Sequence, residues 1–421
     1  MPRRKAFVPR CAFPRSLVCL CLCLQKTEKV RSFDVTRQIF FPLISLCESC
    51  GTSTTNRGMW VEAGLHAINP VHHRARKSSA VRWTRRLGAK QDGRPLAKGG
   101  ESDADVIKRV IGVEDGNLTD VKKLSAGFCN QVMLVRKNTP DGGEEALVVK
   151  LYSNLALLRT SKTHRGVVDK LLDELNLGPQ LVASTDEGIA HRYLEGRILT
   201  EEDMHTRSDI CAATARLVAT FHSLEVPPQF DDAKEPLLWS WLECMLEEIR
   251  TSSNVDSLPA GIDLPALRRE VDIMANTVKN MELSVVLSHG DLKPSNVMLV
   301  GDDPKLMLID LELSGPNYRG FDLMKLFRTD PARFSEARFS DFLSVYCETA
   351  KVDESLAREI KKETKIFEPL TWLEAAVFFG LVVAMGQDFG GPSSDKARWE
   401  ALLRDRCAKY MASKDRIEAF E

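Results

Sequence analysis

Ser288-His289-Gly290-Asp291-Leu292-Lys293-Pro294-Ser295-Asn296, followed by Leu308-Ile309-Asp310-Leu311-Glu312, is the stretch on which the reading of this 421-residue chain turns. Asp291 and Asn296 share one predicted loop. Two apolar runs, Val297 to Val300 and Lys305 to Leu311, then flank Gly301-Asp302-Asp303-Pro304 and predict a β-hairpin. That hairpin returns Asp310 to the end where it began. Oxygen side chains gathered there can share a divalent cation, and a neighbouring carboxylate can orient and receive the proton of an attacking hydroxyl. These are the groups phosphoryl transfer requires. A polar turn that only caps helices would also hold Asp and Asn. The Asp after an apolar strand, with a β-rich section upstream, favours the chemical reading.

The spacing H-x-D-x-x-x-x-N, then Asp, resembles the catalytic loop and metal-binding Asp of the kinase-like fold, with His-Gly-Asp in place of His-Arg-Asp. In such folds the His braces the loop, so His289 is read as structural. The continuation Ile309-Asp310-Leu311-Glu312-Leu313-Ser314-Gly315-Pro316-Asn317-Tyr318-Arg319-Gly320-Phe321-Asp322 is more specific. It resembles the choline/ethanolamine kinase family, where I-D-x-E runs into N-Y-x-x-x-D. The resemblance spans roughly residues 120 to 390 and includes Val149-Lys150-Leu151-Tyr152, Gly178-Pro179-Gln180-Leu181 and the Leu-rich helix ending at His222. Protein kinases match poorly, because a helical stretch separates Gly196 from His289 and no Ala-Pro-Glu follows Asp310.

The resemblance implies an α+β, two-lobed, protein-kinase-like fold using ATP and Mg²⁺. Asp291, Asn296 and Asp310 would be catalytic, with Asn296 and Asp310 on the metal. Gly127 and Asn130 would cradle phosphate in the turn Ser125 to Asn130, which departs from the family pattern at Ala126 and Cys129. Lys150 would hold the α- and β-phosphates, although a surface lysine is the other reading. Its usual Glu partner is missing around His164 and Arg165, and Asp169 is the nearest acid downstream. The acceptor would be a small cationic amino alcohol, with Glu312 and Phe379 as its contacts.

Three family aromatic positions are changed, to Leu313, Phe379 and Val382, which thins the box that a trimethylammonium needs. Phe378, Val382 and Val383 also read simply as a buried helix. Ethanolamine is therefore expected ahead of choline. The implied product is phosphoethanolamine, in the first step of phosphatidylethanolamine synthesis by the CDP-ethanolamine route. Choline kinase, an aminoglycoside phosphotransferase-like kinase and a pseudokinase scaffold are the alternatives.

Working outward, the net charge of −1 conceals two different polymers. Of 58 Lys+Arg and 59 Asp+Glu, residues 1–100 hold 19 and 5 and the remainder 39 and 54. The first segment also carries six of the eleven cysteines, among them the lone Cys47-x-x-Cys50, a weak zinc signal. It reads as a basic extension, either disordered or targeting, and dispensable for chemistry. Residues 101–195 read as a nucleotide-binding N-lobe, and 196–421 as a helical C-lobe carrying the catalytic loop and substrate pocket. The acidic balance of the folded part excludes nucleic acid and favours a cationic partner.

Helices are expected over Asp209 to Leu224, Trp239 to Arg250, Pro265 to Asn280, Ser335 to Ala350, Ser355 to Lys365 and Thr371 to Gln387. The apolar runs Ser16 to Leu24 and Ala375 to Gly386 are too short to span a bilayer. A cytoplasmic location is expected, with organelle targeting by the leader and homodimerisation left open.

Overall fold

The computed structural model describes residues 102–417 apart from 115, 127–129, 234, 253, 302–304, 329–335 and 387–395. The expectations for residues 1–100, for Cys47-x-x-Cys50 and for Gly127 lie outside the described residues.

The Ser102 hydroxyl accepts from the Asp105 N–H and caps α1 (Asp103–Ile111). Val106, Ile107, Val110 and Ile111 are buried at helical spacing. They pack on Met133, Val135, Leu147, Val149 and Ala190 of the sheet. That sheet runs β1-β2-β3-β5-β4 from β1 (Leu118–Ala126), β2 (Asn130–Asn138), β3 (Glu144–Tyr152), β4 (Leu181–Ser184) and β5 (Gly188–Arg192). Antiparallel pairing of β3 with β5 joins the two halves of this sheet and places Ile189 opposite Lys150. β1 escaped the sequence reading. It is an edge strand whose Asp and Lys residues face water, and such strands lack apolar alternation. Two helices, α2 (Asn154–Arg159) and α3 (Val167–Glu174), connect β3 to β4.

Beyond β6 (Gly196–Ile198) come α4 (Glu201–Thr206), α5 (Ser208–His222), α6 (Leu237–Thr251) and α7 (Leu264–Lys279). The predicted hairpin forms as β8 (Val297–Val300) with β9 (Lys305–Leu308), and β6 joins it as a third strand. A second ladder, β7 (Val285–Ser288) with β10 (Gly315–Tyr318), pairs Ser288 with Gly315. Residues 289–314 thus leave and re-enter the core at one point.

The chain continues through α8 (Arg319–Arg328), α9 (Glu336–Thr349), α10 (Glu354–Met385) and α11 (Lys396–Ser413). α10 corrects the expectation of two separate helices. It runs 32 residues through Pro369, because Ile366, Phe367, Leu370 and Trp372 around the proline are all buried. The Phe367 ring lies 5.2 Å from Tyr318 and 6.3 Å from Phe321. Burial of this order offsets the roughly 3 kcal/mol that an internal proline costs. The merged helix is long and apolar enough to cross a membrane, unlike either run expected from sequence, yet 83% of its apolar window is buried inside the protein.

Candidate active site

The loop after β7 is built on buried partners. His289 donates its backbone N–H to Asp322 at 2.6 Å, and its Nε2 donates to the Ile309 carbonyl at 2.9 Å. Its Nδ1 accepts the Asp291 N–H at 3.3 Å, which makes the ring neutral and protonated at Nε2. Gly290 has φ +78°, and a Cβ there would meet the Leu313 carbonyl and, at 2.6 Å, the Trp241 ring. Only glycine fits this turn. The Gly290 N–H also reaches Asp322, at 2.9 Å. The fully buried Asp322 carboxylate accepts from His222 Nε2 at 3.3 Å, while His222 Nδ1 meets the Tyr346 hydroxyl at 3.0 Å. Burial pushes Asp322 up, but His222 and the loop hold it below the usual carboxylate range.

Asp291 follows with both oxygens engaged, one by Lys325 at 2.9 Å and the other by Lys293 at 2.8 Å. Burial would raise its pKa, but the two ammonium groups outweigh it and hold the carboxyl well below the usual range. Asn296 is buried and donates its amide N–H to the Asp291 carbonyl at 2.9 Å, which leaves the amide oxygen as its ligand end.

Asp310 sits where β9 ends, in the left-handed region at φ +66°. It forms an ion pair with Lys150 of β3, whose ammonium is also 3.5 Å from Glu312. Glu312 accepts from Asn130 of β2 and lies 3.8 Å from the Arg159 guanidinium. Burial disfavours the Lys150 charge, but Asp310 and Glu312 overcome it and raise the lysine. Asp310 is correspondingly lowered, and Glu312 is raised by burial and by the like charge of Asp310. Two strands of the small sheet are thereby tied to the turn after β9.

Residues 121–370 match the family model described as choline/ethanolamine kinase. The chain belongs to the choline/ethanolamine kinase family. A probable ethanolamine kinase of Arabidopsis thaliana is 27% identical over 213 residues, 50% of this chain and 56% of the relative. The human choline/ethanolamine kinase is 28% identical over 275 residues, 58% of this chain and 67% of the relative. The chain thus spans about half to two thirds of the curated relatives it matches. A Plasmodium vivax ethanolamine kinase structure superposes with a TM-score of 0.58 at 18% identity, covering 71% of this chain and 84% of that one. This similarity establishes the two-lobed, kinase-like fold.

Among the expected family site residues, Asp291, Asn296, Asp310, Asn130, Lys150 and Glu312 lie together. The two expected amine contacts lie apart from each other. Glu312 accepts from Asn130 and faces Lys150 and Arg159, on the β-sheet side. The Phe379 ring stacks on Trp399 of α11 at 6.2 Å. Its neighbour Phe378, read as core, packs half-buried against the core of the helical lobe and also lies 5.1 Å from the Arg159 guanidinium. Helix rotation decided which ring faces the site, and adjacent positions differ by about 100°. Leu313 and Val382 are buried.

The missing partner of Lys150 is Asp310. Asp169, the acid noted on α3, is buried with its carboxylate 3.0 Å from His191. Asp322 and Lys325 were missed as site residues. Asp322 was visible as the last position of N-Y-x-x-x-D, whereas Lys325 looked like any helix-surface lysine.

The donor set suits a small hard cation. Among the described residues no three His, Cys, Asp or Glu side chains could hold a metal alone. Asn296 and Asp310 supply one amide oxygen and one carboxylate, the sparse protein share usual for Mg²⁺ that takes its other ligands from phosphates and water.

Proposed function

We propose that this chain transfers the γ-phosphoryl group of ATP to the hydroxyl of a small amino alcohol, with ethanolamine preferred to choline. The observation that carries the reading is the convergence of Asp291, Asn296 and Asp310 on one loop and hairpin end beside Lys150. Asp291 stays ionised between Lys293 and Lys325, so it can orient the acceptor hydroxyl and take its proton. Lys150, now on Asp310, is placed to turn to the α- and β-phosphates of the nucleotide. Mg²⁺ held by Asn296 and Asp310 would neutralise charge on those phosphates.

The preference for a primary amine rests on the aromatic rings of α10, whose faces resident cations already cover. Trp372 of α10 has Arg328, Lys409 and Arg406 within 4.7, 4.8 and 5.3 Å of its ring centre, and Phe378 has Arg159. A trimethylammonium would have to displace a resident cation to gain an aromatic face. A primary ammonium can be held by hydrogen bonds instead.

The test is ATP consumption with ethanolamine, its N-methyl and N,N-dimethyl derivatives, and choline. kcat/KM is expected to fall with each methyl group, by about tenfold over the series, the order of one cation–π contact. A rise toward choline would overturn the preference, and no turnover with any alcohol would overturn the activity.

A further inference from the structure

We infer that Lys325 is a positioning residue that fixes the carboxylate of Asp291, and that Glu374 of α10 holds Lys325 in place. The Lys325 side chain is 4% exposed. Its ammonium has three N–H groups, and three acceptors surround it: Asp291 Oδ1 at 2.9 Å, the Gly290 carbonyl at 3.1 Å and Glu374 Oε2 at 3.3 Å. A lysine so matched has no donor left for solvent and one orientation to adopt.

The local geometry gives this contact its consequence. Asp322 and Lys325 lie three residues apart on α8 and so share a helix face. Asp322 takes the backbone N–H groups of His289 and Gly290, and Lys325 takes the next carbonyl and the following side chain. One helical turn therefore grips both the donor and the acceptor groups of the His289–Asp291 turn. Lys293 also touches Asp291, from within the same loop. Glu374 brings the long α10 into the arrangement, and Arg328 on the next turn of α8 donates to the Thr371 carbonyl of α10.

The inference rests on the reading of Asp291 as the acceptor-orienting group, and its test separates the two. The full chain is compared with the double variant Lys325→Met with Glu374→Gln, which removes both charges and strands neither. Amide hydrogen exchange reads the loop without reference to activity. Protection is expected to fall in peptides covering residues 286–296 and to stay unchanged over α7 and α9. With an active acceptor, kcat is expected to drop about 10²-fold, the order for a catalytic group displaced by about 1 Å, while KM for ATP changes less than about twofold. Unchanged loop protection would overturn the inference, as would a loss spread evenly through the helical lobe. If the double variant does not fold, Lys325→Gln carries the same test, since its neutral amide keeps much of the volume but cannot satisfy three acceptors. A parent without turnover, together with loop-confined exchange in the variant, would overturn the function proposed above and leave the positioning role standing.

Discussion

The two sides of the site are held by different kinds of contact. The loop carrying Asp291 is fastened inside the helical lobe, to Lys325 and to Asp322, which His222 backs, all buried on elements that also form the core. The turn carrying Asp310 and Glu312 is fastened across the lobes, to Lys150, Asn130 and Arg159. The first side is preorganised, because its partners move only if the core does. The second consists of ion pairs between protein groups, and charge pairs of this kind can trade partners without unfolding anything; under the proposed function they would be exchanged when phosphates and a cation bind. Under the proposed function, the carboxylate that orients the acceptor would be fixed in advance and the nucleotide end left adjustable.

The strongest challenge to that contrast is Asp310→Ala. Transfer is expected to fall by about 10³-fold or more, since the change removes the carboxylate proposed to hold the metal, while the thermal midpoint changes little because the lost partner is an exchangeable lysine. A large loss of stability with modest loss of turnover would reverse the assignment of the two sides.

Asp322→Asn probes the other side. The substitution keeps the volume but removes a buried charge with three donors around it. It is expected to lower kcat about 10²-fold and stability by about 3 kcal/mol, read from a denaturant midpoint. A variant that keeps full stability would mean that the loop is not anchored there.

The smallest effect comes from an ion pair outside both sides, which calibrates them. Hydrogen bonds from Arg197 pull Asp203 down to about 2, below its ordinary 3.8. A carboxyl lowered by folding stabilises the protein fully above the unfolded value and loses that contribution as pH falls through the folded one. Asp203→Asn should therefore lower the thermal midpoint at pH 7 by about 1–3 °C, with the gap closing between pH 4 and 2 and no change in kcat. A gap that persists at pH 2 would mean that the charge is not the source.

How much could be read in advance depended on the range of the interaction. The catalytic loop and the β8–β9 hairpin were legible, because chemistry and turn formation both impose short, regular spacings. β7 and β10 were not, since no local turn joins them and they pair only across the residues 289–314 between them. The single helix α10 was hidden by Pro369, a local stop signal that core packing overrides. The partner of Lys150 was sought nearby in sequence, as an acid on the following helix, and stands 160 residues away in Asp310.

From the sequence alone the kinase-like fold class and the family resemblance could be determined, and Asp291, Asn296, Asp310 and Lys150 could be expected to gather, because residue type and spacing carry the motifs on which that resemblance rests. Only the tertiary structure decided which way Glu312 points, which of Phe378 and Phe379 faces Arg159, and that Lys325 rather than a loop residue ties Asp291 to the lobe. Those outcomes depend on helix rotation and on which charges are buried together, and both are set by contacts between residues far apart in the chain.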